Sequence, residues 1–549
     1  MKRRTGIVAT LLLLWVVSSP VSVAADCPPE ELTELAELRM GGIPENRRVT
    51  VEGVVTAVFY GQDRLGGFFI QNDATPPIGL FIYAPALADN APRAGDRVQV
   101  SGRFDRFHGR PQINRVTDLK ACSHHGLPTP YVLTLPADAT QLSDLQDIKV
   151  RVPQPLTVTG NHQLGRYGSL RLSAEGRLFR QGQRDDATEA SNRARRIELD
   201  DGSYRANPDP IPYLDSRGTR RVGDEVMELT GILTHAFDVY RIHPTRAPDF
   251  RNTNPRPEPP PVTQGALRVA TLNVENYFLT LGSRGASSRT ALQRQRAKLT
   301  ATVRGLNADV ISLTEVENGD RALDDLVAVL NRGIPVRQRY RAVSHRQTGT
   351  DAIRNALLYR PDRVQLLGTD ADPDPVHSRP PLLAWFRPTG HGEPFGIVAV
   401  HFKAKVGCPT DGDIDQGQGC WNELRTDQSQ RLLRWLNRVR DPGIPVIIAG
   451  DLNAYSAEDP IAALLAGGKL DLVSSRHPVV NHYTYVFNGE SGQLDYLLAA
   501  PLLAARVIDA GIWNVNADEP RFLGFDGRQP ANGPWRSSDH DLVWADLKW

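Results

Sequence analysis

The sequence predicts an α/β protein: a C-terminal half of alternating strands and helices, preceded by β-rich modules of small-barrel type. Three observations carry this. After residue 266, short apolar β-branched runs alternate with segments whose apolar residues recur at helical spacing. Before residue 250, apolar and polar residues alternate with period two, and several of these runs end in Gly. Between them lies Asn254-Pro-Arg-Pro-Glu-Pro-Pro-Pro261, an extended, semi-rigid spacer.

The chain has 549 residues, enough for several domains with ample core. Lys2, Arg3 and Arg4 precede the apolar run Ile7 to Val17, and small residues Val23, Ala24 and Ala25 follow. This reads as a secretory signal peptide over 1–25, which makes the mature chain secreted or periplasmic. No second apolar run is long enough for a membrane span. Without the three leader cations, 61 Lys and Arg face 63 Asp and Glu. That balance excludes bulk attraction to polyanions, so nucleic acid must be held by a local patch or a metal. Cys27, Cys122, Cys408 and Cys420 allow three disulfide pairings in an oxidising compartment. Cys408–Cys420, closing a short Gly- and Asp-rich loop, and Cys27–Cys122, bracketing one domain, are favoured over a zinc site, because no two cysteines lie close in sequence.

Arg48 to Val55, Gly95 to Gly102 and Gly223 to Gly231 share the alternating pattern. They place one oligonucleotide-binding-type barrel at 26–130 and a second β-rich module at 131–250, with a loop-rich insertion near Ala187 to Tyr213. Tyr60, Phe68, Phe69 and Phe81 are either a base-stacking face or core.

The spacer, 251–266, opens onto a domain at 267–549. Leu267 to Val274 is a strand ending at Asn273, and Arg289 to Leu306 has helical spacing. Ala308 to Glu315 is a buried strand, Asp320 to Arg332 a helix, Ala352 to Tyr359 a third strand. Gly396 to His401 is a fourth, with Lys403 and Lys405 beyond it; a helix from Thr426 leads to Val446-Ile-Ile-Ala-Gly-Asp-Leu-Asn453. In extended backbone, Asp451 and Asn453 would point the same way. Leu494 to Leu498 carries Asp495, and Ser537-Ser-Asp-His-Asp541 precedes the last strand.

Singly, such residues are ordinary turn formers. Together, six strand ends deliver Asn273, Glu315, His401, Asp451 with Asn453, Asp495, and Asp539 with His540, a set suited to phosphodiester hydrolysis. Carboxylates and an amide oxygen are hard donors for Mg²⁺ or Mn²⁺. Glu315, Asp539 and Asn273 are the expected metal ligands. Asp451 is expected to align or deprotonate the attacking water, Asn453 to hold a phosphate oxygen, and His540, oriented by Asp495, to serve as acid or base.

Leu-Asn-Val, Leu-Thr-Glu, Val-His-Phe-Lys, Gly-Asp-Leu-Asn-Ala, Leu-Asp-Tyr and Ser-Asp-His, in that order, resemble the endonuclease/exonuclease/phosphatase superfamily, the group of deoxyribonuclease I. The resemblance implies two packed mixed sheets flanked by helices and the same roles for the residues above. It also makes His401 similar to the second histidine of the deoxyribonuclease I branch, with Asp351 as its candidate acid partner. The whole layout is similar to secreted bacterial extracellular endonucleases of the ExeM/NucH type, although Val400, Asn355 and Leu542 depart from their pattern. The implied function is a metal-dependent nuclease acting as a monomer on DNA, with RNA as a second candidate. The alternative is a phosphodiesterase or phosphatase acting on a phospholipid headgroup or a phosphorylated small molecule. Arg294, Arg296, Lys298, Lys403 and Lys405 are candidate phosphate contacts. Asp411, Asp413 and Asp415 raise Ca²⁺ as a further candidate ion, although the Gly falls one position late for an EF-hand loop.

Overall fold

The computed structural model describes Cys27 and residues 30–549 except 62, 391, 440–442 and 479–480. The stretch expected to be a signal peptide, 1–25, lies outside the described residues. The described residues divide into two compact units, those up to 60 with 66–129, and those of 61–65 with 130–549.

In the first unit, strands Arg48–Phe59, Gly67–Gln71, Gly79–Tyr83, Asp96–Phe107 and Arg110–His124 close into a barrel. Alternation turns Val51, Val55, Phe68, Ile70, Val98 and Val100 inward. The four aromatics do not form an open stacking face. Phe68 is core, while Phe69 and Phe81 are buried with the Arg110 guanidinium 5.0 and 4.5 Å from their ring centres. Tyr60 donates its hydroxyl to the Ala84 carbonyl. The Cys27–Cys122 disulfide lies within this unit, and Cys408–Cys420 within the other.

The second β-rich region is a nine-stranded sheet running from Asp249–Arg251 at one edge to Tyr131–Val132 at the other. The segment expected as a loop-rich insertion opens with a helix, Asp186–Arg195, started by the Asp185 carboxylate accepting from Thr188 N–H, and a strand, Arg196–Leu199, before irregular chain over 200–213. This region packs on the C-terminal part. Phe522 and Leu523 belong to its apolar core, and Asn254 and Arg256 of the Pro-rich spacer bond Asp518 and Glu519.

The C-terminal part is a four-layer sandwich. One six-stranded sheet is ordered Arg341–Ala342, Ile353–Tyr359, Val310–Glu317, Leu267–Tyr277, Leu542–Leu547, Val507–Trp513. The other runs Val364–Ala371, Leu382–Pro388, Phe395–His401, Val446–Asp451, Asp495–Ala499, Leu470–Asp471. Val269, Val310, Leu357 and Val543 of the first meet Ala384, Ile397, Ile447 and Leu497 of the second. Helices Arg289–Leu306 and Asp320–Leu330 cover one outer face, and the helix Asn422–Val439 covers the other. Near-continuous apolar strands are what burial on both faces demands. No helix among the described residues is long and apolar enough to cross a membrane.

Candidate active site

Strand register builds the centre of the site. Phe395–His401 lies parallel to Val446–Asp451, which lies antiparallel to Asp495–Ala499, and the pairing sets His401 beside Asp451 and Asp451 beside Asp495. Gly450 permits this close ladder, because a Cβ there would sit 1.9 Å from the Val400 carbonyl oxygen. In the facing sheet, Leu267–Tyr277 and Val310–Glu317 are parallel and bring up Asn273 and Glu315. Asn273 reaches across, its Nδ2 donating to Asp451 Oδ2 at 3.2 Å.

His540 comes from the loop before the last strand. Its Nδ1–H donates to Asp495 Oδ2 at 2.8 Å, leaving Nε2 4.0 Å from Asp451 Oδ2. Thr484 donates its hydroxyl to the same Asp495 oxygen at 2.7 Å, and Asn516 Nδ2 holds the His540 carbonyl. His401 Nε2 lies 3.5 Å from Asp451 Oδ2. Asp351 is not its partner. That carboxylate faces Arg379 at 3.2 Å and Arg284 at 3.6 Å.

The two imidazoles are pushed apart. Burial opposes a charge on His540, but Asp495 and Asp451 outweigh it and hold its pKa well above the usual value. Burial, reinforced by Arg379, His540 and Arg284, holds His401 well below the usual value. Two titratable groups driven in opposite directions in one site suit an acid and a base. Burial, with the Asp495 charge adding to it against His540, raises Asp451 to about 7.

Beside this dyad is an oxygen-rich corner. Glu315 accepts from Asn276 N–H at 2.9 Å and is raised in pKa, first by burial and then by Asp539. Glu275 is raised to about 8 by burial and then by Asp539, with Glu315 adding to it. Mutually repelling carboxyl groups next to the Asn273 amide are a hard donor set that a small divalent cation would neutralise, so the residues present fit such an ion. Single donor atoms of Asp451, Asp495 and His540 also lie within 4.8 Å of one another. The 2.8 Å Nδ1–carboxylate bond accounts for the Asp495–His540 approach, and Asp451 joins them through its strand pairing with Asp495.

Several expected contacts differ. Asn453 adopts a left-handed backbone (φ 48°), so the extended-chain argument fails; its N–H donates to Asp451 Oδ1 and its Nδ2 to the Phe402 carbonyl. Lys298 is buried with its ammonium on the Trp535 carbonyl, and Lys405 is ion-paired with Glu458, so neither is free to meet phosphate. Arg296 is engaged by Asp325. Arg294 is exposed on its helix, and the Lys403 ammonium lies 5.0 Å over the Trp421 ring. In the disulfide loop, the Asp413 carboxylate accepts from Glu423 and Leu424 N–H, and Asp415 from Gly417 and Gly419 N–H. These hydrogen bonds fasten a turn and start the helix that follows.

Sequence reasoning missed Glu275, Arg379 and Tyr485. Glu275 stands two residues after Asn273, a visible signal. Arg379 comes from an irregular loop and donates to the His401 and Phe402 carbonyls, which nothing local announces. The Tyr485 ring centre lies 4.6 Å from that of His540.

This sandwich sets a carboxylate–histidine dyad beside an acidic corner. Residues 270–540 match the Endonuclease/Exonuclease/phosphatase family, and the chain carries a domain of that hydrolase family there. Among solved structures it is similar to an endonuclease/exonuclease/phosphatase from Bacteroides vulgatus, at 17% identity over 51% of this chain and 98% of that one, TM-score 0.36. It is similar to D. rerio TDP2 complexed with single strand DNA product, at 16% identity over 51% and 98%, TM-score 0.35. A Bacteroides thetaiotaomicron mannosyl-6-phosphatase is similar at 18% identity over 52% and 100%, TM-score 0.36. No curated protein matches the chain.

Proposed function

We propose that the protein is a secreted nuclease, akin to the bacterial extracellular endonucleases, that hydrolyses phosphodiester bonds of DNA with Mg²⁺ or Mn²⁺, with RNA as a second candidate substrate. The observation that carries this reading is the Asp495–His540 dyad aimed at Asp451 beside the Asn273, Glu315 and Asp539 corner. A bound divalent cation would neutralise phosphate charge and make bound water more acidic. Asp451 is placed to align a water for attack. Protonated His540 is placed to donate a hydrogen bond to a phosphate oxygen, and the second Nδ2–H of Asn453 is a further donor. His401, 3.5 Å from Asp451, is held neutral by its burial and by Arg379.

The test is incubation of purified protein with plasmid, single-stranded DNA, RNA, sphingomyelin and inositol phosphates, with and without EDTA. EDTA-sensitive DNA cleavage is expected. Turnover of a lipid or sugar phosphate with no nucleic acid cut would overturn the proposal.

A further inference from the structure

Next to the active site is a cleft of about 360 Å³ whose far wall lies outside the family domain. Asn161, His162 and Arg171 of the nine-stranded region form that wall; Phe487, Arg521 and Arg536 of the C-terminal part face it, and Glu275 and Asp539 close the catalytic end. Phe487 stands at the turn of the hairpin Tyr485–Gly492 and is 55% exposed. Its ring is within 12° of parallel to that of Tyr485, centres 6.5 Å apart, and Tyr485 in turn faces His540. The aromatic series therefore runs from the dyad into the cleft.

The cleft's charge is cationic where it is not catalytic. Glu198 is paired with Arg241, and Glu519 with Arg221 and Arg256, so those acids are neutralised. Arg171 holds the hairpin turn through the Asn488 carbonyl at 2.7 Å, and Arg536 donates to the Asn516 carbonyl. Arg521, Arg536 and Arg171 converge closely enough that, after desolvation, they all lower the pKa of His162. The volume is at the small end of ligand sites, too little for a duplex.

We propose that this cleft is a subsite for one unpaired nucleotide flanking the scissile phosphate of a single-stranded polynucleotide, its base stacked on Phe487 and its phosphate held by Arg521 and Arg536. The inference rests on the nuclease reading of the neighbouring site. An aromatic face accepts any base, and cations track the backbone, so the subsite is selective for strandedness rather than sequence.

The test is fluorescence anisotropy of a labelled dT12 oligonucleotide with the full chain in EDTA, where binding is read without turnover. Phe487→Ala and Arg521→Ala are each expected to weaken binding about fivefold or more. Arg521→Ala should also flatten the slope of log Kd against log salt by about 0.7. An oligonucleotide abasic along its length should bind wild type and Phe487→Ala alike. Both variants binding dT12 within twofold of wild type, or wild type preferring a blunt duplex, would overturn the subsite. DNA cleavage by a wild type whose variants bind unchanged removes the subsite and spares the reaction; tight, variant-sensitive binding with no cleavage does the reverse.

Discussion

His540 and Asp495 are joined by a 2.8 Å Nδ1–carboxylate hydrogen bond although 45 residues separate them, and Thr484 fixes the same carboxylate oxygen. The bond sets which imidazole nitrogen faces Asp451 and stabilises the charged ring. Asp495→Asn keeps the shape and loses both effects. Turnover should fall by about 10²–10⁴-fold with the fold retained, and its pH dependence should shift as His540 loses the charge that raises it. Near-normal turnover would remove Asp495 from the proposed mechanism.

Glu275, Glu315 and Asp539 repel one another, and that repulsion makes a cation test independent of activity. Adding Mg²⁺ or Mn²⁺ to EDTA-treated protein should raise Tm, since an ion that binds only the folded state stabilises it by mass action. Glu315→Gln should shrink that rise by weakening the ion's hold. An equal rise in the variant would place the ion elsewhere.

Asp518 and Glu519 are buried beneath the nine-stranded region, where Arg177, Arg221 and Arg256 bond them. Removing one partner of such a cluster leaves a charge uncompensated, so Arg221→Met should cost about 3–5 kcal/mol in denaturant unfolding. Loss below ~1 kcal/mol would contradict this account.

The same cluster predicts a pH dependence. Burial raises the pKa of Asp518, but Arg177 and Arg221 outweigh it and leave it below the usual value. A carboxylate depressed in the folded state stabilises fully above its unfolded pKa and loses that contribution as pH falls through the folded one. The stability gap between wild type and Asp518→Asn should therefore be widest above about pH 4 and close below it. A gap that widens in acid would reverse the sign and refute the assignment.

Gly450→Ala adds a methyl against the Val400 carbonyl in the ladder that aligns His401 with Asp451. It should lower stability by about 1–3 kcal/mol and depress activity further than the stability loss explains. Unchanged Tm and turnover would show that the two strands can part without consequence.

Local pattern alone determined much here. Period-two alternation marked the barrel strands, helical spacing marked the covering helices, and Gly-Asp-Leu-Asn at the end of a β-branched run marked the edge where the candidate site lies. Those signals survive because strand and helix periods are local and each strand end delivers its polar residues in chain order. Tertiary structure decided which long side chains are free. Lys298 and Lys405 look like phosphate ligands until folding delivers the Trp535 carbonyl and Glu458 to them, and Arg379 acquires its place only when the His401 strand arrives beside its loop. The nine-stranded region's share in the cleft was equally invisible, because Arg171 and Asn488 lie 317 residues apart. A flexible cation's partner is chosen by three-dimensional packing rather than by its neighbours in the chain, whereas a strand's inward face is chosen by the backbone itself.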